Sequence, residues 1–246
     1  MTKEVTPKER NTQLGKSAAE RLLRWAFIQL AMKATGINLS TSGDIPEGQF
    51  ISGLAPHTSQ VDNLIYFKAL QQRGITVDQV AMLAKQVYWQ GWRQPIADMM
   101  LGKTYLVNMG EAMSIRQVIS DLRANPDLIL GLYVQSGRDP SMSKPVESGF
   151  SYLSAVSGIP IVPVALLGVD QIMPPGEFWS SLEAGIMRTL TLNPQEVQLH
   201  WLEPINPHDF SGKTKDKMPL IEMEFIKQMN KFYLDKGLEV PKFLKN

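Results

Sequence analysis

Apolar residues in this chain alternate between short unbroken runs and longer stretches of helical period. Residues 49–54 read as a strand, 61–73 as a helix and 80–85 as a short strand. Residues 87–100 read as a helix or a pair of turns, 104–107 as a strand and 114–124 as a helix that stops before the turn Asn125-Pro126-Asp127. Residues 128–134 are apolar throughout, as in strands covered on both faces of a parallel sheet. A helix over 148–157 ending at Gly158 and a second buried strand over 161–166 follow. Strand and helix in this rhythm predict an α/β fold: an open, mostly parallel sheet with helices on both faces.

The two ends of the chain carry different patterns. Residues 1–15 are polar, and 16–35 read as a helix whose second half, 25–32, is apolar nearly all round. Such a helix must be covered. It is either docked on the domain or laid in a membrane interface with Arg21, Arg24 and Lys33 at headgroup level. Residues 38–47, with Gly43 and Pro46, read as a turn-rich linker or an edge hairpin. The expected organisation is therefore an N-terminal tail and helical appendage over 1–45 and an α/β domain over 46–246. Later on, 168–185 look irregular, and 188–192 and 196–202 read as strands of a hairpin joined at Asn193-Pro194. An amphipathic helix over 217–234 closes the domain, with a tail over 236–246.

Composition narrows the classes. The 246 residues carry 25 basic and 24 acidic side chains, which gives no field to attract nucleic acid. With no cysteine there is no disulfide scaffold, thiolate metal site or cysteine nucleophile, as suits a cytoplasmic protein. No apolar h-region opens the chain, and no run of about 18–20 apolar residues is long enough to span a bilayer. The three histidines form no cluster at ligand spacing, so no metal is expected. His200 reads as a structural residue on a strand face and His208 as part of a turn.

The candidate chemistry lies in Ala55-Pro56-His57-Thr58-Ser59-Gln60-Val61-Asp62. Along one helix, five residues turn through about 500°, which would leave His57 and Asp62 about 140° apart. They meet only if a strand ends at the histidine and a helix starts just beyond, where Thr58 or Ser59 is a good N-cap. Pro56 holds Ala55 extended, as a strand end requires. A histidine with a carboxylate fixing its tautomer is half of a triad without a protein nucleophile. A lone histidine near an aspartate is also, and more commonly, an ordinary satisfied polar pair, and the spacing alone does not separate the two.

The His-Thr-Ser-x-x-Asp segment resembles the H-x-x-x-x-D box of the glycerolipid acyltransferase superfamily, which includes the lysophosphatidate acyltransferases. Further blocks follow in the family's order. Ala84-Lys85-Gln86 and residues 89–101 resemble the second block, leading through Gly102-Lys103-Thr104-Tyr105-Leu106-Val107-Asn108 into a strand. Residues 132–138 stand where the family has P-E-G-T-R. Glu147-Ser148-Gly149-Phe150 and Ile159-Pro160-Ile161-Val162-Pro163-Val164-Ala165 resemble the blocks that come next. Together they span roughly residues 50–168, about half the chain.

The resemblance implies a peripheral-membrane O-acyltransferase of phospholipid biosynthesis. His57 would be the general base and Asp62 its partner. The donor would be acyl-CoA or an acyl-carrier protein, the acceptor a lysophospholipid-like alcohol, with no further cofactor. Lys85, Asn108, Gln135, Ser136, Gly137 and Arg138 would line the substrates, with oxyanion donors near Ser59 or Gly137. Two positions depart from the family: Gln135 or Ser136 replaces the glutamate, and Val107-Asn108 ends a block that elsewhere closes in Asp-Arg. Both departures fall on acceptor recognition. They point to an acceptor other than ordinary lysophosphatidate, or to a non-catalytic lipid- or acyl-chain-binding protein on the same fold. A thioester hydrolase using His57 to activate water is a third reading, although no G-x-S-x-G nucleophile motif is present.

Overall fold

The computed structural model describes residues 26, 28–30, 37–59, 62–85, 103–107, 112–135, 137–139, 141–169 and 195–245. Its centre is strand β2 (Ile51–Ala55), which has no exposed residue and pairs in parallel with β5 (Ile129–Tyr133) on one side and β6 (Ile161–Leu167) on the other. Both neighbours are the apolar runs expected of strands covered on two faces. Strands β3 (Val80–Lys85) and β4 (Lys103–Val107) extend the sheet beyond β5, also in parallel. With β1 (Ile37–Ser42) and β7 (Gln195–Trp201), the order is β1-β7-β6-β2-β5-β3-β4. Only β6–β7 is antiparallel among these pairs, so the expected open, mostly parallel α/β sheet is present.

Residue alternation in the strands divides the core in two. Phe50, Leu54, Ile129, Val162 and Val164 face helix α1 (Asp62–Gln72), where they meet Ile65, Tyr66 and Leu70. Ile51, Ala55, Leu130, Leu132 and Ile161 face helices α2 (Ala112–Ala124), α3 (Gly149–Ser157) and α4 (Thr214–Asp235). Phe150 of α3 and Phe225 of α4 meet there with ring centroids 5.0 Å apart. The buried Ser52 is satisfied by the Tyr66 hydroxyl, which donates to Ser52 Oγ at 2.6 Å. Helix α3 stops at Gly158, whose φ of 79° closes the last turn with an N–H bond to Ser154 O.

Three expectations need correction. Residues 37–42, of which 38–42 read as part of a linker or edge hairpin in the sequence, form edge strand β1, parallel to β7. Their half-buried and exposed residues alternate strictly, as in a strand covered on one face. Gly43 then turns the chain at φ 82°, where a Cβ would lie 1.9 Å from Trp201 O, so only glycine fits. Second, β7 lies between β6 and β1; its expected partner, 188–192, falls outside the described residues. The closing helix is longer than read, beginning at Thr214, where Asp216 accepts the N–H of Lys213.

Most of the N-terminal helix also falls outside the described residues. Within it, Ile28 is buried against the α1 side of the core. Gln29 donates to Gln71 Oε1 at 3.1 Å and accepts from Lys68 Nζ. This short helical piece is therefore docked on α1, while Leu30 beside it is 67% exposed. No helix among the described residues is long and apolar enough to cross a membrane.

Candidate functional site

His57 stands two residues beyond the end of β2, where the chain leaves the sheet before entering α1. The bend required by the spacing is present: α1 begins at Asp62, and His57 Nδ1 lies 2.7 Å from Asp62 Oδ2. The same Oδ2 accepts the backbone N–H groups of Thr58 at 3.0 Å and Ser59 at 3.1 Å. An oxygen already accepting two N–H bonds is an acceptor, so the imidazole nitrogen facing it carries the proton. In the neutral ring, Nε2 then keeps its lone pair, and it has no partner among the described residues. Asp62 has no exposed surface, while the His57 side chain is 16% exposed. The aspartate is walled in and the histidine has a way out.

The loop after β5 closes over this bend. Because Leu54 pairs with Tyr133 in the sheet, the chain leaving β5 emerges beside the chain leaving β2. Gln135 is buried in that loop. Its Oε1 accepts the backbone N–H of His57 at 3.1 Å, and its Nε2 donates to Lys144 O at 3.2 Å. Asp139 N in turn donates to His57 O at 2.8 Å. Both main-chain polar groups of His57 are thus taken by residues 135 and 139.

Asp139 organises the turn that follows. Its carboxylate accepts from Ser141 and Ser143, through N–H and hydroxyl in each, and from the N–H of Lys144. Burial alone would raise its pKa, but these hydrogen bonds outweigh it and lower the carboxyl from 3.8 to about 2. Arg138 is half-buried beside it, and its carbonyl accepts from Lys144 Nζ at 3.2 Å. Gly137, at φ 136°, makes the sharp turn between Gln135 and Arg138.

Of the residues singled out from the sequence, His57, Asp62, Gln135, Gly137 and Arg138 come together at the carboxyl ends of β2 and β5. That is where open α/β sheets bind ligands. Lys85 ends β3 at the same edge of the sheet, separated from β2 by β5 and so by roughly 10 Å. Asn108 and Ser136 lie outside the described residues. No group of three or more histidine, aspartate or glutamate side chains among the described residues could hold a metal ion.

Sequence reasoning missed Tyr133. Its ring stacks on the His57 imidazole, with centroids 3.7 Å apart and planes 16° from parallel. Its hydroxyl donates to Asn63 Oδ1 at 2.9 Å. Burial first, then the nearby charge of Asp62, raises the phenol well above its ordinary pKa and keeps it a neutral donor. The available signal was its place as the last residue of an apolar run, directly across from the strand that delivers His57.

Neither a protein-family model nor a curated protein matches this sequence. Among solved structures, the chain is similar to the 1-acyl-sn-glycerophosphate (LPA) acyltransferase PlsC from Thermotoga maritima. The TM-score is 0.58 at 18% identity, over 89% of this chain and 78% of that one. At this identity the likeness establishes a shared fold.

Proposed function

We propose that this protein is an O-acyltransferase that moves a fatty acyl group from an acyl thioester to the hydroxyl of a lysophospholipid-like acceptor. The observation that carries this reading is the His57–Asp62 pair: Nδ1 held by a fully buried carboxylate, Nε2 left without a partner among the described residues. The fold shared with a lysophosphatidate acyltransferase supports it.

In the proposed reaction, His57 Nε2 takes the proton of the acceptor hydroxyl while its oxygen attacks the thioester carbonyl. The C–S bond then breaks, and the imidazolium returns the proton to the departing thiolate. No acyl-enzyme forms. Asp62 keeps the ring in the required tautomer and stabilises the imidazolium between the two transfers. A positioned base of this kind typically contributes about 10²- to 10⁴-fold, with substrate orientation supplying much of the rest. Arg138 and Lys85, at the same sheet edge, are the proposed contacts for phosphate groups of acceptor or donor.

A second reading is a non-catalytic lipid- or acyl-chain-binding protein. One observation favours it: the amide of Gln135, which with Ser136 stands where the resemblance would place a glutamate, is engaged at both ends by main chain. Thiol release from long-chain acyl-CoA and from acyl-carrier protein, against a panel of lysolipids and simple alcohols, separates the readings. Transferase activity predicts release that depends on one class of acceptor. No release with either donor and any acceptor, from folded protein, would favour binding alone; release independent of acceptor would indicate a hydrolase.

The same reading places the protein at a membrane surface, where such acceptors reside. Exposed Leu30, beside the docked Ile28, belongs to the apolar stretch 25–32 and is the residue proposed to enter the interface. Co-sedimentation with anionic phospholipid vesicles should weaken in Leu30→Glu. Equal sedimentation of the variant would remove this part of the proposal.

A further inference from the structure

The first turn of α1 presents two consecutive polar side chains to the base, and each restrains a different degree of freedom of His57. Asp62 takes Nδ1 and so fixes where the ring's edge lies. Asn63 takes the hydroxyl of Tyr133, whose ring lies flat against the imidazole. A single hydrogen bond at Nδ1 leaves an imidazole free to rock about the bond and swing Nε2 out of line. A parallel ring at 3.7 Å removes that freedom on one face.

We propose that Tyr133, anchored through its hydroxyl to Asn63, is a positioning residue for His57 that holds the imidazole plane so that Nε2 meets the substrate hydroxyl in line. The backbone makes the brace rigid. Tyr133 is in register with Leu54, so its Cα is fixed by the parallel pairing that also fixes the end of β2. Asn63 is fixed by α1, so three elements meet at one ring. The stack also suits the reaction cycle, because an imidazolium over a tyrosine face is attracted by the ring quadrupole. Asp62, Tyr66 and Lys68 on α1, the Tyr133 phenol on β5, and Arg138, Asp139 and Lys144 in the following loop are titratable or charged groups on the elements around His57. The Asp139 carboxylate is committed to its own turn. Within this set, Tyr133 alone stacks on the ring's face.

The kinetic arm of the test rests on the transferase reading; the spectroscopic arm does not. In the wild-type protein, nuclear Overhauser contacts between His57 ring protons and Tyr133 ring protons are expected, together with an upfield ring-current shift of the histidine signals. Tyr133→Phe should retain both, and Tyr133→Leu should abolish them. With acyl transfer as readout, Tyr133→Leu should lower kcat roughly 10- to 100-fold with little change in KM, following the cost of a misplaced base. Tyr133→Phe should restore all but a few-fold of that loss, and Asn63→Ala should match the phenylalanine variant and be non-additive with it. The brace is overturned by absence of the ring contacts in the wild type, or by a Leu variant with unchanged kcat. A loss in Tyr133→Leu appearing in KM alone would overturn it as well. If Tyr133→Leu does not fold, the wild-type and Phe spectra still decide the geometry. A wild-type protein without acyl transfer would defeat the functional reading while leaving the spectra to judge the brace.

Discussion

Gln135 holds the backbone of His57 from the neighbouring strand's loop: its carbonyl oxygen accepts the His57 N–H at 3.1 Å while its amide nitrogen donates to Lys144 O at 3.2 Å. Only a side chain with an acceptor at one end and a donor at the other makes both bonds. A glutamate could make the first, but would set a second acceptor against the Lys144 carbonyl in a buried place.

Gln135→Glu should therefore be harmful. We expect a loss of about 1–3 kcal/mol in the free energy of unfolding, from a buried acceptor left facing another. Urea unfolding measures it. A variant as stable as the wild type and more active would show instead that position 135 serves the acceptor.

Asp62→Asn keeps the shape of the acid and removes its charge. The imidazolium formed when His57 takes a proton would lose its counter-charge, and the ring would be free to adopt the wrong tautomer. Transfer should fall by about 10²-fold or more, mainly in kcat. A drop of less than three-fold in folded protein would remove Asp62 from the proposed mechanism.

His200 gives the fold an acid-sensitive point away from the site. Its Nδ1 meets Ser42 Oγ and its Nε2 meets Gln198 Oε1, joining β7 to β1 at the sheet edge. Burial first, then the charge of Lys236, lowers its pKa from 6.5 to about 4. Below pH 6.5 the unfolded chain binds this proton and the folded one does not. Stability from this group is thus complete above about 6.5 and lost as pH falls toward 4, on the order of 1–3 kcal/mol in all. The unfolding midpoint should fall between pH 7 and pH 4.5, and fall less in His200→Gln. Parallel pH curves for the two proteins would contradict this.

Packing across the sheet gives a further prediction. Gly131 of β5 lies under Tyr66 and Met82; a Cβ there would stand 2.5 Å from Met82 Sδ and 3.0 Å from Tyr66 Cε1. Gly131→Ala should cost about 1–3 kcal/mol by overpacking and disturb the Tyr66–Ser52 bond. Thermal unfolding tests this, and an unchanged midpoint would mean that the face accommodates a methyl group.

These residues also show what the sequence made legible. The His57–Asp62 contact was readable because a five-residue spacing closes only around a strand end and a helix start, and both could be seen in the flanking pattern. The buried strands β2, β5 and β6 were readable because unbroken apolar runs mark two-sided cover. Strand β1 was not, since its alternation sits beside Gly43 and Pro46 and its partner is over 150 residues away. Tyr133 was hidden for a related reason: within an apolar run it counts as core, and only the register of β5 against β2 brings it under His57. For Gln135, composition cannot say whether an amide meets a ligand or the main chain. These are non-local facts, set by pairing rather than by neighbours in sequence.

In the proposed reaction His57 Nε2 removes the proton of an acceptor hydroxyl. The most direct test is the rate of acylated product formation, followed by mass spectrometry with the best acceptor from the panel, in wild type and His57→Ala at matched, verified folding. Product is expected in the wild type, with a loss of at least about 10²-fold in the variant. Product forming at an unchanged rate without His57 would contradict it.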